Sequence, residues 1–427
     1  MTSGTAAAVV LAAGHSRRLR SERPKVLHEV GGRPLVSWVV QAAREAGCAP
    51  ICVVVGSGAD AVRSVFEGED AGAADVVWVE QPEQRGTGHA LSMARDSLRS
   101  EGLALVLAGD APLVRPATLR ALLDAAGAGW GSLTVADDDA IAGRTVAGHY
   151  ALPVPAIFDW LEKIDPGDAQ GEFRLTDAVS AAAGEHPVAA VRVEDASEVL
   201  GVDSRADLAA VQRVFYRRGV DALLAAGVTV LDPESVWIDA GVTVGADSVL
   251  HPNVTLLGAS SVGSGCTVHS GAWIRDSVLD DGVEVLPYSV LDGARVASDC
   301  TIGPFARLRP DAVLEDGAKV GNFVEVKKAR LGPGVKASHL AYLGDASVGA
   351  GANIGAGVIT CNYDGKKKSR TVIGEGAFVG SDCILVAPVE VGAGAYTGAG
   401  AVITKDVPDE TLAVGRARQK NIKRRPR

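Results

Sequence analysis

The sequence predicts two folds in series: an α/β domain with a mostly parallel, Rossmann-like sheet, then a parallel β-helix. Three observations carry this. Residues 1–203 alternate short valine-rich runs with amphipathic stretches, the rhythm of βαβ units covered on both faces. Beyond about residue 236, aliphatic residues recur at every sixth position. Glycine reaches 51 residues while aromatics fall to 4%, a balance suited to flat strands and many tight turns.

Taken in order, "AAAVVLAAG" (6–14), "PICVVVG" (50–56), "DVVWVEQ" (75–81) and "LALVLAGD" (103–110) are the strand candidates. "PLVSWVVQAAREAG" and "GHALSMARDSLRSEG" are helices between them. Residues 204–228 carry Leu208, Val211, Phe215 and Leu223 at helical spacing and read as a connecting helix. The hexad then runs through Val296, Ile302, Leu308, Leu314, Val320 and Val326. After a polar, lysine-rich insert it resumes at Ile373, Val379, Leu385, Val391 and Ile403, with Thr397 in the one weaker slot. In a β-helix such side chains stack inward from coil to coil. The expected domains are therefore 1–203, the helix 204–228, the β-helix 229–415 and a basic tail 416–427. Flat side walls make self-association of the β-helix the natural oligomer.

Composition narrows the function. A formal net charge of −10 argues against non-specific nucleic-acid binding. The opening residues are apolar but lack a basic segment before them, and no apolar run is long enough to span a bilayer, so a cytoplasmic protein is expected. Six scattered cysteines, including Cys48 and Cys52, read as buried thiols, and the histidines form no zinc-type spacing.

Residues that carry chemistry cluster in two places. In the first, "LAAGHSRRLRSERPKVL" (11–27) ends a strand in a small-residue turn whose amides, with Arg18 and Lys25, can hold phosphate. "EQPEQRGTGHA" (80–90) offers small residues against a flat base and Gln81 to read its edge. Asp110 follows a strand at the edge where α/β sheets collect ligands, and suits either Mg²⁺ bridged to phosphate or a helix N-cap. In the second, Arg309 and Lys327 are eighteen apart, one coil of β-helix, which makes a ladder of cations for a phosphate. His339 falls in the next coil near Tyr342, where it can take a proton from an amine, with Glu325 as the nearby carboxylate to orient its ring. The insert "CNYDGKKKSR" supplies a protruding arm that a flat wall lacks, able to close a pocket across a subunit boundary.

The first cluster resembles the sugar nucleotidyltransferases, and with the hexads behind it the chain resembles the bifunctional GlmU family over almost its whole length. That family pairs N-acetylglucosamine-1-phosphate uridyltransferase with glucosamine-1-phosphate N-acetyltransferase, and its hexads form a left-handed β-helix. The resemblance implies a homotrimeric transferase using acetyl-CoA, UTP and Mg²⁺ to make UDP-N-acetylglucosamine for cell-wall peptidoglycan and lipopolysaccharide. It assigns uridine-nucleotide contacts to Leu11, Ala12, Ala13, Gly14, Lys25, Gln81, Gly86, Thr87 and Gly143, and triphosphate stabilisation to Arg18. It gives the metal to Asp110 and Asp203, the latter standing in "GVDSR" where the family motif has Asn. In the β-helix it makes His339 the proton acceptor and gives glucosamine 1-phosphate to Arg309, Lys327, Tyr342 and Asn353, with Lys368 joining from the arm, whose Asn362 and Tyr363 it gives to acetyl-CoA. Ala356, Ser381, Ala399 and Arg416 line the acetyl-CoA groove; the rest of the basic tail is either a CoA-phosphate contact or a charged end. The family pattern is cut short around residues 136–150, where a strand and loop with a sugar-contacting Glu are missing and Val146 replaces an Asn. A second reading therefore keeps acetyl transfer and makes the first domain a vestigial or altered nucleotidyltransferase.

Overall fold

The computed structural model describes residues 6–14, 18–67, 76–98, 102–134, 146–164 and 172–424. The chain divides into two compact units, Met1–Phe215 and Tyr216–Arg427.

In the first unit, strands β1 (Ala7–Leu11), β2 (Ile51–Val55), β3 (Val76–Glu80), β4 (Gly102–Ala108), β5 (Trp130–Thr134), β6 (Val146–Val154) and β7 (Val188–Arg192) form one sheet. Its order is β3-β2-β1-β4-β6-β5-β7. All pairs are parallel except those made by β6, which runs antiparallel to β4 and β5. Both faces are covered, which is why these strands read as continuous apolar runs and not as alternating ones. Successive residues of β1 still go to opposite faces: Ala8 and Val10 join Val36, Val39 and Leu119, whereas Val9 joins Leu91, Ile157 and Leu161. Helix α1 (Leu35–Glu45) and helix α3 (Pro116–Ala126) cover the first face. Helix α2 (Thr87–Met93) and helix α4 (Ala156–Lys163) cover the second. The helix expected over 88–102 is thus shorter, ending at Met93 before a tight turn over Arg95–Ser97.

Cys48 and Cys52 are buried free thiols, pushed up to about 11 by burial. They stay protonated at neutral pH.

The second unit is a parallel β-helix of three sheets with 11, 10 and 9 short strands. Every hexad aliphatic named above is buried, and they belong to a single apolar core. Thr397 fills its aliphatic slot without penalty because its hydroxyl accepts from the Gly380 amide at 3.1 Å.

The unit boundary falls inside helix Arg205–Ala225, within the segment expected to be the connecting helix. Its first half belongs to the first unit, where Leu208, Val211 and Phe215 pack with Leu19, Val30 and Leu35. Its second half contributes Val220 and Leu223 to the β-helix core. Apolar residues therefore serve two cores along one helix, and the helix is an integral part of each.

Two candidate active sites

The first site is built at the carboxyl ends of β1 to β4. Leu11 closes β1, Ala12 and Ala13 are buried, and Gly14 is exposed. The amide of Gly109 donates to the Leu11 carbonyl at 3.0 Å, holding the turn after β4 against the end of β1 and so fixing Asp110. The Val202 amide donates to the Asp110 carbonyl at 3.0 Å, which delivers Asp203 to the same place from 93 residues away. Lys25, set by the turn Lys25–Leu27, inserts its ammonium between the two carboxylates. It lies 2.8 Å from Asp203 Oδ1 and in tight contact with Asp110 Oδ2. Arg18 reaches the other oxygen of Asp203 at 2.9 Å. Burial works against the Lys25 ammonium, but the Asp110 and Asp203 carboxylates outweigh it and its pKa is raised.

Beneath this cluster lies His149, fully buried on β6. Its Nδ1 accepts the Ala108 amide at 3.3 Å, and its buried Nε2 has no partner among the described residues. Burial pushes the ring down to about 4, against the pull of the Asp110 charge.

Gln81 follows β3, its amide held by the Val55 carbonyl at 2.8 Å. A cavity of about 510 Å³ opens beside it, lined also by Gly56, Ser57, Glu80 and Gln84. Gly86 and Thr87 begin α2. Gly86 has φ +101°, and a Cβ there would meet the Phe173 carbonyl oxygen at 2.5 Å, so only glycine fits. Thr87 Oγ1 accepts the Leu175 amide at 3.0 Å, and Gly88 donates to Phe173 at 2.8 Å. Phe173 and Leu175 are thereby tied to the "RGTG" turn. Gly143 lies outside the described residues.

The second site uses two adjacent walls of the β-helix. Arg307 pairs with Glu325 and Leu308 with Val326 in one ladder, and the Arg309 amide donates to Val326 at 2.9 Å. Arg309 and Lys327 therefore stand side by side on successive coils, as their spacing predicts. Glu325 pairs in turn with Tyr342, whose ring lies over Gly344, where a Cβ would meet the phenol oxygen at 2.4 Å. His339 ends a strand of the neighbouring wall, one corner before Tyr342, and Asn353 lies on that same wall.

The expectation that Glu325 orients His339 is corrected here. The coils contract to 17 residues, so Glu325 stacks beside Tyr342, and Asn322 is the residue opposite His339. His339 Nδ1 donates to Asn322 Oδ1 at 2.7 Å. Glu325 Oε1 instead accepts from Arg309 Nη1 at 2.9 Å. The ladder reaches this far because of Gly321, where any Cβ would meet the Ser338 carbonyl oxygen at 1.9 Å.

The insert forms a tight arm. Tyr363 and Lys368 make an antiparallel bridge, and Asp364 accepts from the amides of Lys366 and Lys367 at 2.8 and 2.7 Å. Asn362 is buried at its base, its amide held by Asp345. The exposed Tyr363 ring projects outward. Ala356, Ser381 and Ala399 stack at one corner, since Asp382 donates to Ala356 at 2.7 Å and Gly400 to Ser381 at 2.8 Å. Arg416 is exposed beyond the last coil.

Known proteins match both units. Residues 8–226 fit the MobA-like NTP transferase domain, 233–339 the GMPPB C-terminal domain, and 370–405 the bacterial transferase hexapeptide. The chain is 45% identical to the bifunctional protein GlmU of Alkalilimnicola ehrlichii, over 97% of this chain and 95% of that one. It is 47% identical to that of Anaeromyxobacter sp. strain Fw109-5, over 97% and 91%. It is 42% identical to that of Nitratidesulfovibrio vulgaris strain DP4, over the full length of both. The chain belongs to the bifunctional GlmU family. Its first unit is the GlmU nucleotidyltransferase fold and its second the left-handed parallel β-helix of the hexapeptide transferases.

Asn322, Asp345, His149 and His89 were not singled out from the sequence. Asn322 was within reach, because it precedes His339 by one contracted coil. Asp345, likewise, precedes Asn362 by 17 residues. His149 and His89 carry no such spacing signal.

Proposed function

We propose that the residues gathered at these two sites perform the family's two transfers on one sugar phosphate. The chain is a bifunctional enzyme of UDP-N-acetylglucosamine synthesis, acetylating glucosamine 1-phosphate and then uridylylating the product. The observation that carries the assignment of the acetyl-transfer site is the Arg309–Lys327 ladder one corner away from the His339–Asn322 pair.

In acetyl transfer, Arg309 and Lys327 hold the sugar phosphate while Tyr342 and Asn353 flank the ring. With Nδ1–H donated to Asn322, His339 presents the Nε2 lone pair and takes the proton of the attacking amine. The C–N bond forms at the thioester carbonyl, the C–S bond breaks, and CoA leaves as its thiol. Ala356, Ser381 and Ala399 provide room for the pantetheine arm, with Arg416 toward its phosphates. The arm residues Asn362, Tyr363 and Lys368 close the site from a neighbouring subunit. The exposed ring stack of Tyr288, Phe305 and Phe323, with centroids 5.5 and 5.4 Å apart, supports assembly of β-helices into a trimer.

In uridylyl transfer, the Leu11–Gly14 turn and Gly86–Thr87 frame the nucleotide and Gln81 faces its base. Asp110 and Asp203 form an all-oxygen pair that already holds a cation, the Lys25 ammonium, and so fits Mg²⁺. When bound there, the ion would neutralise phosphate charge. Arg18 and Lys25 supply the remaining positive charge to the triphosphate, whose α-phosphorus the sugar phosphate attacks with loss of pyrophosphate. Among the described residues no helix is long and apolar enough to cross a membrane. A cytoplasmic enzyme fits substrates of this kind.

Two assays on the purified protein test the assignments. Asp110→Ala should abolish pyrophosphate release and keep acetyl-CoA turnover, and His339→Ala the reverse. Either variant retaining the activity assigned to its residue would refute that assignment.

A further inference from the structure

Gln81 is buried, and its side-chain amide sits beside two acceptors. Nε2 lies 3.2 Å from the Gly86 carbonyl oxygen and 2.9 Å from His89 Nδ1. A backbone carbonyl can only accept, so the atom facing it must be the NH₂ and not the amide oxygen. The same atom then has one hydrogen left for His89, and His89 Nδ1 must be the acceptor. His89 is therefore the neutral tautomer protonated at Nε2. Both Gln81 hydrogens are consumed, and no described donor reaches Oε1.

We infer that His89 is a positioning residue for base selection, locking the Gln81 amide so that its carbonyl faces the nucleotide. The inference rests on Gln81 being the base-facing residue. An acceptor at that place welcomes the N3–H of uracil. Cytosine carries a lone pair at N3, so the fixed carbonyl meets it acceptor to acceptor. Were the amide free to flip, an N–H would face the base and cytosine would be accepted. His89, in the first turn of α2, never needs to touch the nucleotide. It prevents the flip by making the flipped state cost a hydrogen bond and face two acceptors with an oxygen.

The test is calorimetric titration of the full-length protein with UTP and CTP in Mg²⁺, on wild type and three variants, beside KM and kcat for UTP. His89→Ala should weaken UTP binding about tenfold and narrow the UTP/CTP affinity ratio at least about tenfold, raising KM while leaving kcat nearly unchanged. His89→Asn, whose Oδ1 can accept where Nδ1 did, should restore the ratio to within about threefold of wild type. Gln81→Leu should abolish the discrimination. If Gln81→Leu removes discrimination and His89→Ala does not, the role of His89 is overturned while Gln81 stands. If neither changes the ratio, Gln81 does not read the base and both ideas fall. A merely structural role for His89 would lower the melting temperature and weaken both nucleotides alike, leaving the ratio intact. That outcome also overturns the inference.

Discussion

Asn322 gives the sharpest test of how the β-helix builds its acid–base group. Its Oδ1 accepts from His339 Nδ1 at 2.7 Å on an exposed surface. A hydrogen bond of that kind contributes about 0.5–1.5 kcal/mol net. Removing it lets the ring turn and carry its proton on the wrong nitrogen. At about 1.36 kcal/mol per tenfold, Asn322→Ala should lower kcat/KM for acetyl transfer by about two- to twelvefold. The His339 backbone is held by its ladder and not by this side chain, so the melting temperature should stay unchanged. Asn322→Asp should behave differently, because a carboxylate favours the imidazolium and moves the low-pH limb of kcat/KM upward. The assay is CoA thiol release from acetyl-CoA and glucosamine 1-phosphate over a pH series. Wild-type kcat/KM at every pH in Asn322→Ala would show that the bond does not set the ring, and the reasoning would fail.

Three further outcomes are expected. Lys25→Met removes the ammonium that competes for Asp110 and Asp203, so the nucleotide-free protein should bind Mn²⁺ several-fold more tightly by electron paramagnetic titration, whereas Asp203→Asn should bind it more weakly; equal affinities would contradict the competition. His149 is neutral in the fold and depressed from 6.5 to about 4, so it favours folding above its ordinary pKa, and that contribution, up to roughly 3 kcal/mol, is lost as pH falls from 6.5 toward 4. Urea unfolding of His149→Leu should show a flatter acid slope than wild type beside a lower stability at neutral pH, and parallel slopes would disprove the assignment. Gly321→Ala must push the Ser338 backbone away, at a cost of about 1–3 kcal/mol, and should impair acetyl transfer while UTP binding is kept.

The β-helix was legible because its geometry is a counting rule. Val296 to Val326 and Ile373 to Ile403 appear in the core at the slots their spacing gives, and Arg309 meets Lys327 for the same reason. Glu325 is the exception, since nearness in sequence to His339 is not register with it. Eighteen residues per coil holds at Arg309 and 17 at the next coil, which puts Asn322 opposite His339 and leaves Glu325 on the neighbouring wall beside Tyr342. In the α/β unit, Asp110, Gln81 and Gly86 could be placed at strand ends from local pattern alone. What could not be read was how they are neutralised. Lys25 meets Asp203 across 178 residues, and Gln81 meets His89 through a turn whose shape depends on Phe173.

This difference says where each activity is vulnerable. In the β-helix the backbones of Lys327, His339 and Tyr342 are set by ladders between successive coils, and side-chain partners are few: Asn322 for His339 and Glu325 for Arg309. At the nucleotidyltransferase site placement is itself made of side chains. Lys25 holds two carboxylates together that would otherwise repel, Arg18 balances the second, and His89 holds the Gln81 amide. Asp203 adds one more negative charge to that set than an Asn would, and the set answers with two cations in contact with it. The first unit therefore holds its charged groups through internal side-chain partners that an incoming ligand would have to displace, where the β-helix sets Arg309 and Lys327 on coils already in register.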